Sequence, residues 1–257
     1  MGGLGIRDRE KIIKAAELLR EASRAYAFTG AGVSTESGIP DFRSPGTGLW
    51  SNPEMMSLAT GDALNREPVR FYNVFLPQWL AYREAQPNPA HRALAELEAL
   101  GRLCGVITQN IDGLHHKAGS KSVWEVHGHL RHVVCSTCRM TAPFTVAEEA
   151  LEKGKLPPRC VCGGLLRPDV VLFGETMAPD FNRALIVLRQ GCDFILSVGS
   201  SLTVYPAASL VESAGQLIIV NREPTPCDDR ASVILRGNAG EILPELVKVV
   251  ALPDGNP

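Results

Sequence analysis

Short apolar runs alternate with amphipathic stretches along most of this chain. Ile12, Ala16 and Leu19 recur at helical spacing after Asp8, a candidate N-cap, and the apolar run 25–28 follows them. Further apolar runs, each ended by glycine or polar residues, lie at 103–108, 123–126, 194–198 and 217–220. Helical patterns separate several of these runs, so the chain is predicted to be an α/β protein with a mainly parallel sheet.

Two stretches interrupt this alternation. Residues 45–87 are rich in aromatic residues, Met and Pro and predict a helical insertion, whereas residues 131–167 hold a cysteine cluster. A helix is expected to begin after Asn88, because Asn caps helices and Pro89 suits their first position. We expect one domain over 1–257 with two parts. The larger part is assigned to about 1–44, 88–130 and 168–257, and the smaller part to about 45–87 and 131–167.

The composition excludes several classes of protein. The chain has 257 residues, of which 45% are hydrophobic and 21% charged, as is ordinary for a globular enzyme. No apolar run approaches the roughly 20 residues of a membrane helix, and the amino terminus lacks the layout of a secretory signal. A cytoplasmic protein that binds no membrane is therefore expected. The formal net charge of −2 argues against direct nucleic-acid binding.

A glycine-rich loop, TGAGVS at 29–34, follows the first predicted strand. Glycine there lets backbone amides approach a pyrophosphate, but the third glycine and the distal carboxylate of the usual dinucleotide fingerprint are missing. A plain turn stays open for this segment alone. The continuation concentrates Asp41, Phe42 and Arg43 in one long loop, which favours a binding role.

Polar side chains also follow the next two predicted strands. Asn110 and Asp112 come after one strand, and His127 comes after the other with a glycine beside it. Ligands of open parallel sheets bind at these carboxyl ends, and imidazole titrates near neutral pH, so His127 is the candidate general base. A structural role for His127 stays open, and Asn110 and Asp112 are also suited to cap the following helix. The histidines that compete for the role of base are His115, His116, His129 and His132.

Four of the seven cysteines form two closely spaced pairs, Cys135 with Cys138 and Cys160 with Cys162. Such knuckles suit one tetrahedral zinc ion bound by four thiolates, although Cys-x-Cys is one residue tighter than the usual spacing. Four protein ligands close the coordination sphere, so this zinc is expected to be structural. The other cysteines, Cys104, Cys192 and Cys227, are assigned to core or loop positions.

The carboxyl half adds two more strand ends. Ser200 and Ser201 follow the run 194–198, and Asn221 follows the run 217–220, so all three are placed to face one nucleotide. The apolar segment 170–175 is either a buried strand or an edge that pairs with a peptide.

In combination, these motifs resemble the sirtuin family over nearly the whole chain. They are GAGVSTESGIPDFRS at 30–44, TQNIDGLHHKAG at 108–119, EVHG at 125–128, the cysteine knuckles, LRPDVVLFGE at 166–175, GSSL at 199–202 and VNREPTP at 220–226. The resemblance is to single-domain bacterial or archaeal members. It implies a Rossmann-like sheet with helices on both faces, plus a small module made of the helical insertion and a four-cysteine zinc ribbon.

The resemblance implies an NAD-dependent protein-lysine deacylase, which consumes NAD, releases nicotinamide and transfers the acyl group to ADP-ribose. His127 would be the base, with Asn110 and Asp112 as further catalytic residues. The residues that would bind NAD are Ala31, Thr35, Phe42, Arg43, Gln109, Asn110, Ile111, Asp112, His127, Ser200, Ser201, Asn221 and Ala239. Val171, Phe173 and Gly174 would bind an acyl-lysine peptide or protein, and one structural zinc would occupy the cysteine cluster.

One departure from the family bears on substrate choice. Members that prefer succinyl- or malonyl-lysine carry a Tyr-x-x-Arg pair whose arginine binds the acyl carboxylate. Here Tyr72 is kept and Phe75 stands in the arginine position. An acidic acyl chain would lack its counter-ion, so neutral acyl groups are expected to be favoured over succinyl.

Other activities remain open at this point. Mono-ADP-ribosyl transfer would use the same NAD pocket, and a non-catalytic NAD-binding or zinc-dependent adaptor would need the same fold. A thiol redox protein would carry reactive knuckle cysteines without a metal. The sequence does not fix the oligomeric state, and a monomer is the working expectation.

Overall fold

A computed structural model describes residues 6–42, 46 and 48–252, and for residues 6 and 7 only the backbone. Six strands form the larger sheet: β1 (Ala25–Thr29), β2 (Val106–Thr108), β3 (Val123–Glu125), β7 (Phe194–Val198), β8 (Gln216–Val220) and β9 (Val233–Leu235). Their order is β3-β2-β1-β7-β8-β9, and every neighbouring pair is parallel. The predicted parallel sheet is confirmed. The order reverses direction between β1 and β7, where parallel sheets bind their ligands.

Helices cover both faces of this sheet. The longer helices around it are α1 (Ile6–Glu21), α5 (Pro89–Ala99), α8 (Pro179–Arg189) and α9 (Ala239–Ala251). Side chains of a strand alternate between faces, so Ala25 and Ala27 pack with α1, α5 and α9 on one face. Tyr26 and Phe28 pack with α8 and the turn of helix at Ala207–Ser213 on the other face.

A second, three-stranded sheet lies in the part of the chain that interrupts this pattern. It consists of β4 (Gly128–Cys135), β5 (Thr141–Pro143) and β6 (Leu166–Val170), in the antiparallel order β5-β4-β6. The helices around it are α2 (Pro53–Leu58), α3 (Gly61–Arg66), α4 (Pro68–Glu84), α6 (Leu114–Ala118) and α7 (Thr145–Glu152). Aromatic residues of α4, including Phe71 and Trp79, pack with β4 and β6 in a core of their own.

Most expected elements have the expected bounds to within a few residues. Asn88 caps α5 in a reciprocal arrangement, because its side chain accepts the amide of His91 while Nδ1 of His91 accepts the amide of Asn88. The expectation that Asp8 caps the first helix is wrong, because α1 begins at Ile6 and Asp8 lies inside its first turn. Strand β9 was not predicted, although its three apolar residues match β2 and β3 in length.

Candidate active site

A cavity of about 360 Å³ opens at the carboxyl ends of β1, β2, β7 and β8. It is lined by the predicted residues Ala31, Thr35, Phe42, Gln109, Asn110, Ile111, His127, Val171, Phe173, Gly174, Ser200, Ser201, Asn221 and Ala239. Arg43 lies outside the described residues. Segments remote in sequence therefore meet at one place, as the parallel sheet requires.

The loops that follow β1 and β7 touch each other at this cavity. The amide of Gly32 donates to the carbonyl oxygen of Gly199 at 2.8 Å, and a β-carbon at Gly30 would stand 3.0 Å from the same oxygen. Gly199 has a φ of +59°, a conformation that favours glycine. Glycine at these three positions thus keeps the two loops close enough to share one ligand.

A buried polar network lies beneath the loop after β1. The Oγ of Ser34 donates to Oδ2 of Asp112 at 2.8 Å and accepts from Nδ2 of Asn110 at 3.0 Å. The same hydroxyl lies 3.4 Å from Nε2 of His91. Sequence reasoning missed Ser34 and His91, although Ser34 belongs to the glycine-loop motif and His91 to the capping pattern of α5. The network fixes Asn110 at the cavity wall.

Asp112 does not line the cavity. Its Oδ1 accepts the amide of Leu114 at 2.9 Å, so it caps the start of α6 while Oδ2 holds Ser34. Burial raises the pKa of this carboxyl, and the hydrogen bonds from Leu114 and Ser34 oppose that shift. Of the two candidate caps, Asp112 bonds the first amide of α6 from the position before the N-cap residue Gly113, whereas the Asn110 side chain bonds Ser34.

His127 follows β3 and lies at the cavity wall. Its Nδ1 is 3.0 Å from the carbonyl oxygen of Gln109. A carbonyl oxygen only accepts, so Nδ1 carries a proton and Nε2 is left as the basic nitrogen. Burial lowers the pKa of His127, and the hydrogen bond to Gln109 opposes the shift. The ring is therefore neutral near pH 7 and able to take a proton.

The competing histidines lie elsewhere. His115 is buried with Nε2 2.9 Å from Oγ1 of Thr29, and burial holds its pKa well below the ordinary value. His116 and His132 are exposed, and His129 is 3.8 Å from Asp169. Among the described cavity-lining residues, His127 is the one histidine.

The apolar segment after β6 forms another part of the wall. The amide of Val171 donates to the carbonyl of His127 at 2.8 Å, and Phe173 pairs with Ala59 and Gly61 through its backbone. The Phe173 side chain is half exposed and lies against Trp50, which stacks on Phe42.

Helix α4 supplies a further wall of the cavity, in which the sequence assigns only Phe75 a bearing on substrate choice. Phe75, Gln78, Trp79 and Tyr82 all line the cavity. Tyr72 does not, because its hydroxyl is buried and donates to the carbonyl oxygen of Leu166 at 2.6 Å. Of the Tyr72 and Phe75 pair, only Phe75 reaches the cavity. A surface of aromatic rings at the helical spacing of α4 was the available signal.

The four knuckle cysteines meet beside β4. Their sulfur atoms all lie within 4.8 Å of one another. The Sγ of Cys135 also accepts the amides of Thr137 and Cys138 at 3.4 Å, an arrangement that stabilises a thiolate. The cluster is positioned to bind one zinc ion, as predicted. Cys104, Cys192 and Cys227 lie outside the cluster, and Cys104 is exposed.

Within the part of the chain that the structure covers, no helix combines the length and apolar content that crossing a membrane demands.

Comparison with known proteins gives consistent results. A sequence model described as "Sir2 family" matches residues 30–206. The chain is 47% identical over 231 residues to NAD-dependent protein deacetylase 2 of Caldanaerobacter subterraneus subsp. tengcongensis, covering 90% of this chain and 92% of that protein. It is 51% identical over 235 residues to the NAD-dependent protein deacetylase of Caldivirga maquilingensis, covering 90% of each chain.

Solved structures of Sir2 proteins are similar in fold to this chain. One described as "Sir2-p53 peptide-NAD+" superposes with a TM-score of 0.83 at 36% identity, covering 91% of this chain and 96% of that chain. Another, described as "Sir2 H116A-deacetylated p53 peptide-3'-o-acetyl ADP ribose", has a TM-score of 0.86 at 35% identity. The match covers 91% of this chain and 96% of that chain.

Proposed function

Since this chain belongs to the Sir2 family, the sirtuins, we propose that it is an NAD-dependent protein-lysine deacetylase. It transfers the acyl group of a modified lysine to ADP-ribose and releases nicotinamide. The observation that carries this proposal is the position of His127, a neutral imidazole with a free Nε2, in the wall of a cavity at the switch point of the sheet.

NAD is assigned to the cavity on the evidence of its walls. The Gly30–Gly199 contact region is assigned to the pyrophosphate, because glycine there lets the backbone come close to a ligand. The adenosine half is assigned to Ser200, Ser201, Asn221 and Ala239, and further NAD contacts are assigned to Ala31, Thr35 and Phe42; all seven line the cavity. Arg43 is proposed to contact NAD by its place in the same motif.

The nicotinamide ribose is assigned to the end of β2. Gln109, Asn110 and Ile111 follow this strand in the cavity wall. Asp112 acts through Ser34, which in turn holds the Asn110 side chain. The side-chain amides of Gln109 and Asn110 orient the reactants. An enzyme without a nucleophile of its own gains rate from such orientation.

The proposed reaction begins when the amide oxygen of the acyl-lysine attacks the ribose carbon that bears nicotinamide. That carbon's bond to nicotinamide breaks, and the electron pair leaves with nicotinamide. Nε2 of His127 then accepts the proton of a ribose hydroxyl, whose oxygen attacks the acyl carbon. His127 returns the proton to the lysine nitrogen, and the bond between that nitrogen and the acyl carbon breaks to release the amine. Water then adds to the acyl carbon, the bond from this carbon to one of its two ribose oxygens breaks, and the acyl group stays on ADP-ribose as an ester.

Peptide substrates are assigned to the segment Val171, Phe173 and Gly174, and the acyl chain to the aromatic wall of α4. Phe75 and Trp79 face this part of the cavity. Among the described cavity-lining residues, the one Lys or Arg is Arg222, which follows β8 and donates to Asn238. Neutral acyl groups are therefore favoured over succinyl.

The zinc site has a structural role in this proposal. Cys135, Cys138, Cys160 and Cys162 supply four ligands, which leaves no open position for water. The ion would hold the loops beside β4 and take no part in the reaction.

The test is a mass-spectrometric assay of the purified protein with an acetyl-lysine peptide, with and without NAD. It follows the peptide, nicotinamide and acetylated ADP-ribose, and compares the wild type with His127→Ala. Deacetylation that needs NAD and is lost in the variant is the expected result. Nicotinamide release without deacetylation would point to ADP-ribosyl transfer, and no turnover across an acyl panel would point to a binding module.

A further inference from the structure

Two oppositely charged residues flank the turn that carries His127. Glu125 is the last residue of β3, and Arg131 lies within β4. Resting on the deacetylase function above, we propose that the Glu125–Arg131 ion pair is a positioning device for the base. By tying these residues together, it fixes the course of the intervening backbone and thereby the place of the His127 ring in the cavity.

The pair has the geometry of a strong interaction. Nη1 of Arg131 donates to Oε1 of Glu125 at 2.8 Å, and Nη2 donates to Oε2. The Glu125 side chain is only 4% exposed, whereas Arg131 is 45% exposed. A desolvated carboxylate needs its partner more than a surface carboxylate does, and a two-pronged contact restricts orientation as well as distance.

Other hydrogen bonds also hold this turn. The amide of Leu130 in β4 donates to the carbonyl oxygen of Ile111 at 3.3 Å, and Nδ1 of His127 lies 3.0 Å from the carbonyl oxygen of Gln109.

The amide of Glu125 donates to Oδ2 of Asp180 in α8 at 3.0 Å, and the amide of Val126 donates to Thr108 in β2 at 3.0 Å. These contacts anchor Glu125 to α8 and Val126 to the six-stranded sheet. On the other side, His127 accepts from Val171 at 2.8 Å, next to the three-stranded sheet. The ion pair adds a charged side-chain link between the end of β3 and β4.

Strand pairing alone does not fix this stretch. The ladder between β4 and β6 pairs Gly128 with Val170 and resumes only at Val133, with an irregular register between them. Arg131 lies inside that irregular stretch. The ion pair therefore supplies a restraint where the regular ladder is interrupted.

Other charged groups lie near the pair. Nε2 of His116 is 3.8 Å from Oε1 of Glu125 and its side chain is 42% exposed, so it is a looser neighbour than Arg131. Arg131 also faces the carboxylates of Asp169 and Asp180. Both groups are acidic, so neither could replace the guanidinium as the partner of Glu125.

The two steps of the proposed reaction separate positioning from general stability. Cleavage of the nicotinamide bond and its reversal do not use the base, whereas acyl transfer does. Labelled nicotinamide is incorporated into NAD only by reversal of the first step. A misplaced His127 thus lowers deacetylation but not this exchange, and a damaged fold lowers both.

Exchange and deacetylation are measured on the full chain, with an acetyl-lysine peptide, for the wild type, Arg131→Met, Arg131→Lys and the double variant Glu125→Met with Arg131→Met. The double variant leaves no unpaired buried charge, so it guards against failure to fold. Arg70→Met is the matched control, because Arg70 is 51% exposed and pairs with Glu54 away from the cavity.

In Arg131→Met and in the double variant, deacetylation is expected to fall about tenfold or more, with exchange within about twofold of the wild type. Arg131→Lys keeps the positive charge but loses the two-pronged contact with Glu125, so its deacetylation falls by an intermediate amount. Arg70→Met behaves as the wild type.

Unaffected variants beside an active wild type would overturn the positioning role and leave the deacetylase function intact. Exchange and deacetylation that fall together in the variants would do the same. A double variant that regains full deacetylation would likewise reduce the pair to a structural contact. An inactive wild type would overturn the deacetylase function and this proposal with it.

Discussion

The amide of Gly32 donates to the carbonyl oxygen of Gly199 at 2.8 Å, which joins the loop after β1 to the loop after β7. A β-carbon at Gly32 would lie 2.8 Å from that oxygen and 2.9 Å from the Gly199 α-carbon. Both neighbours are backbone atoms, so neither can move without moving its loop. The proposed NAD pocket depends on this contact.

We expect Gly32→Ala to push the two loops apart. NAD affinity should fall about tenfold or more, and the free energy of unfolding should fall by about 1–3 kcal/mol. Titration calorimetry with NAD and urea unfolding measure the two effects. Gly215→Ala is the control, because its β-carbon would approach Asp193 at 3.2 Å at the opposite end of the sheet. Unchanged NAD binding in Gly32→Ala would contradict this view of the pocket.

Acetylated peptide should be turned over with a kcat/KM about 100-fold above that of the succinylated peptide, because the described cavity-lining residues of α4 include no Lys or Arg that could pair with a carboxylate. Phe75→Arg should raise the succinyl-to-acetyl ratio about tenfold. Phe75→Met, which adds no charge, should leave the ratio unchanged. Equal turnover of both peptides by the wild type would refute the assignment of Phe75. A complete switch is not expected, since the Tyr72 hydroxyl is already bonded to Leu166.

Acid should destabilise the fold through its buried histidines. Burial lowers the pKa of His91 from 6.5 to about 4. The unfolded chain therefore binds a proton that the folded chain refuses between these values, and stability falls as pH drops below 6.5. At pH 5 the loss from His91 is about 2 kcal/mol. His115, whose pKa is also held well below its ordinary value, adds to it.

Urea unfolding at pH 7.5 and pH 5 measures this loss. His91→Gln should lose about 2 kcal/mol less than the wild type between the two pH values. His132→Gln, a change at an exposed histidine, should keep the sensitivity of the wild type. The same pH dependence in His91→Gln and the wild type would show that His91 does not contribute.

Elemental analysis should find one zinc ion per chain. Cys162→Ser removes one of four ligands and should lose the metal, with a fall in the unfolding temperature of about 10 °C or more. Cys227→Ser, outside the cluster, should retain the metal and the unfolding temperature. A wild-type protein that contains no zinc and forms disulfides instead would overturn the metal site.

The sequence by itself determined the fold class and the chemistry of the motifs. Apolar runs that alternate with helical patterns specified the parallel sheet, because residues 2 or 3.6 apart share a face in strands or helices. Strand ends then predicted that Asn110, His127 and Ser200 meet. Cysteine spacing predicted the metal cluster. These inferences rest on the pattern of apolar residues, on the rule that parallel strands end at one edge, and on the spacing of metal ligands.

Only the tertiary structure decided which side chains touch. The bridge from Ser34 to Asp112 and the ion pair of Glu125 with Arg131 join segments through packing that no local period encodes. The packing of α4 likewise decided that Gln78, Trp79 and Tyr82 line the cavity beside Phe75. Tyr72 illustrates the limit, since its place in a motif did not reveal that its hydroxyl points to Leu166. Local sequence fixes backbone conformation and the face a residue occupies, whereas contacts between remote segments depend on how whole elements pack.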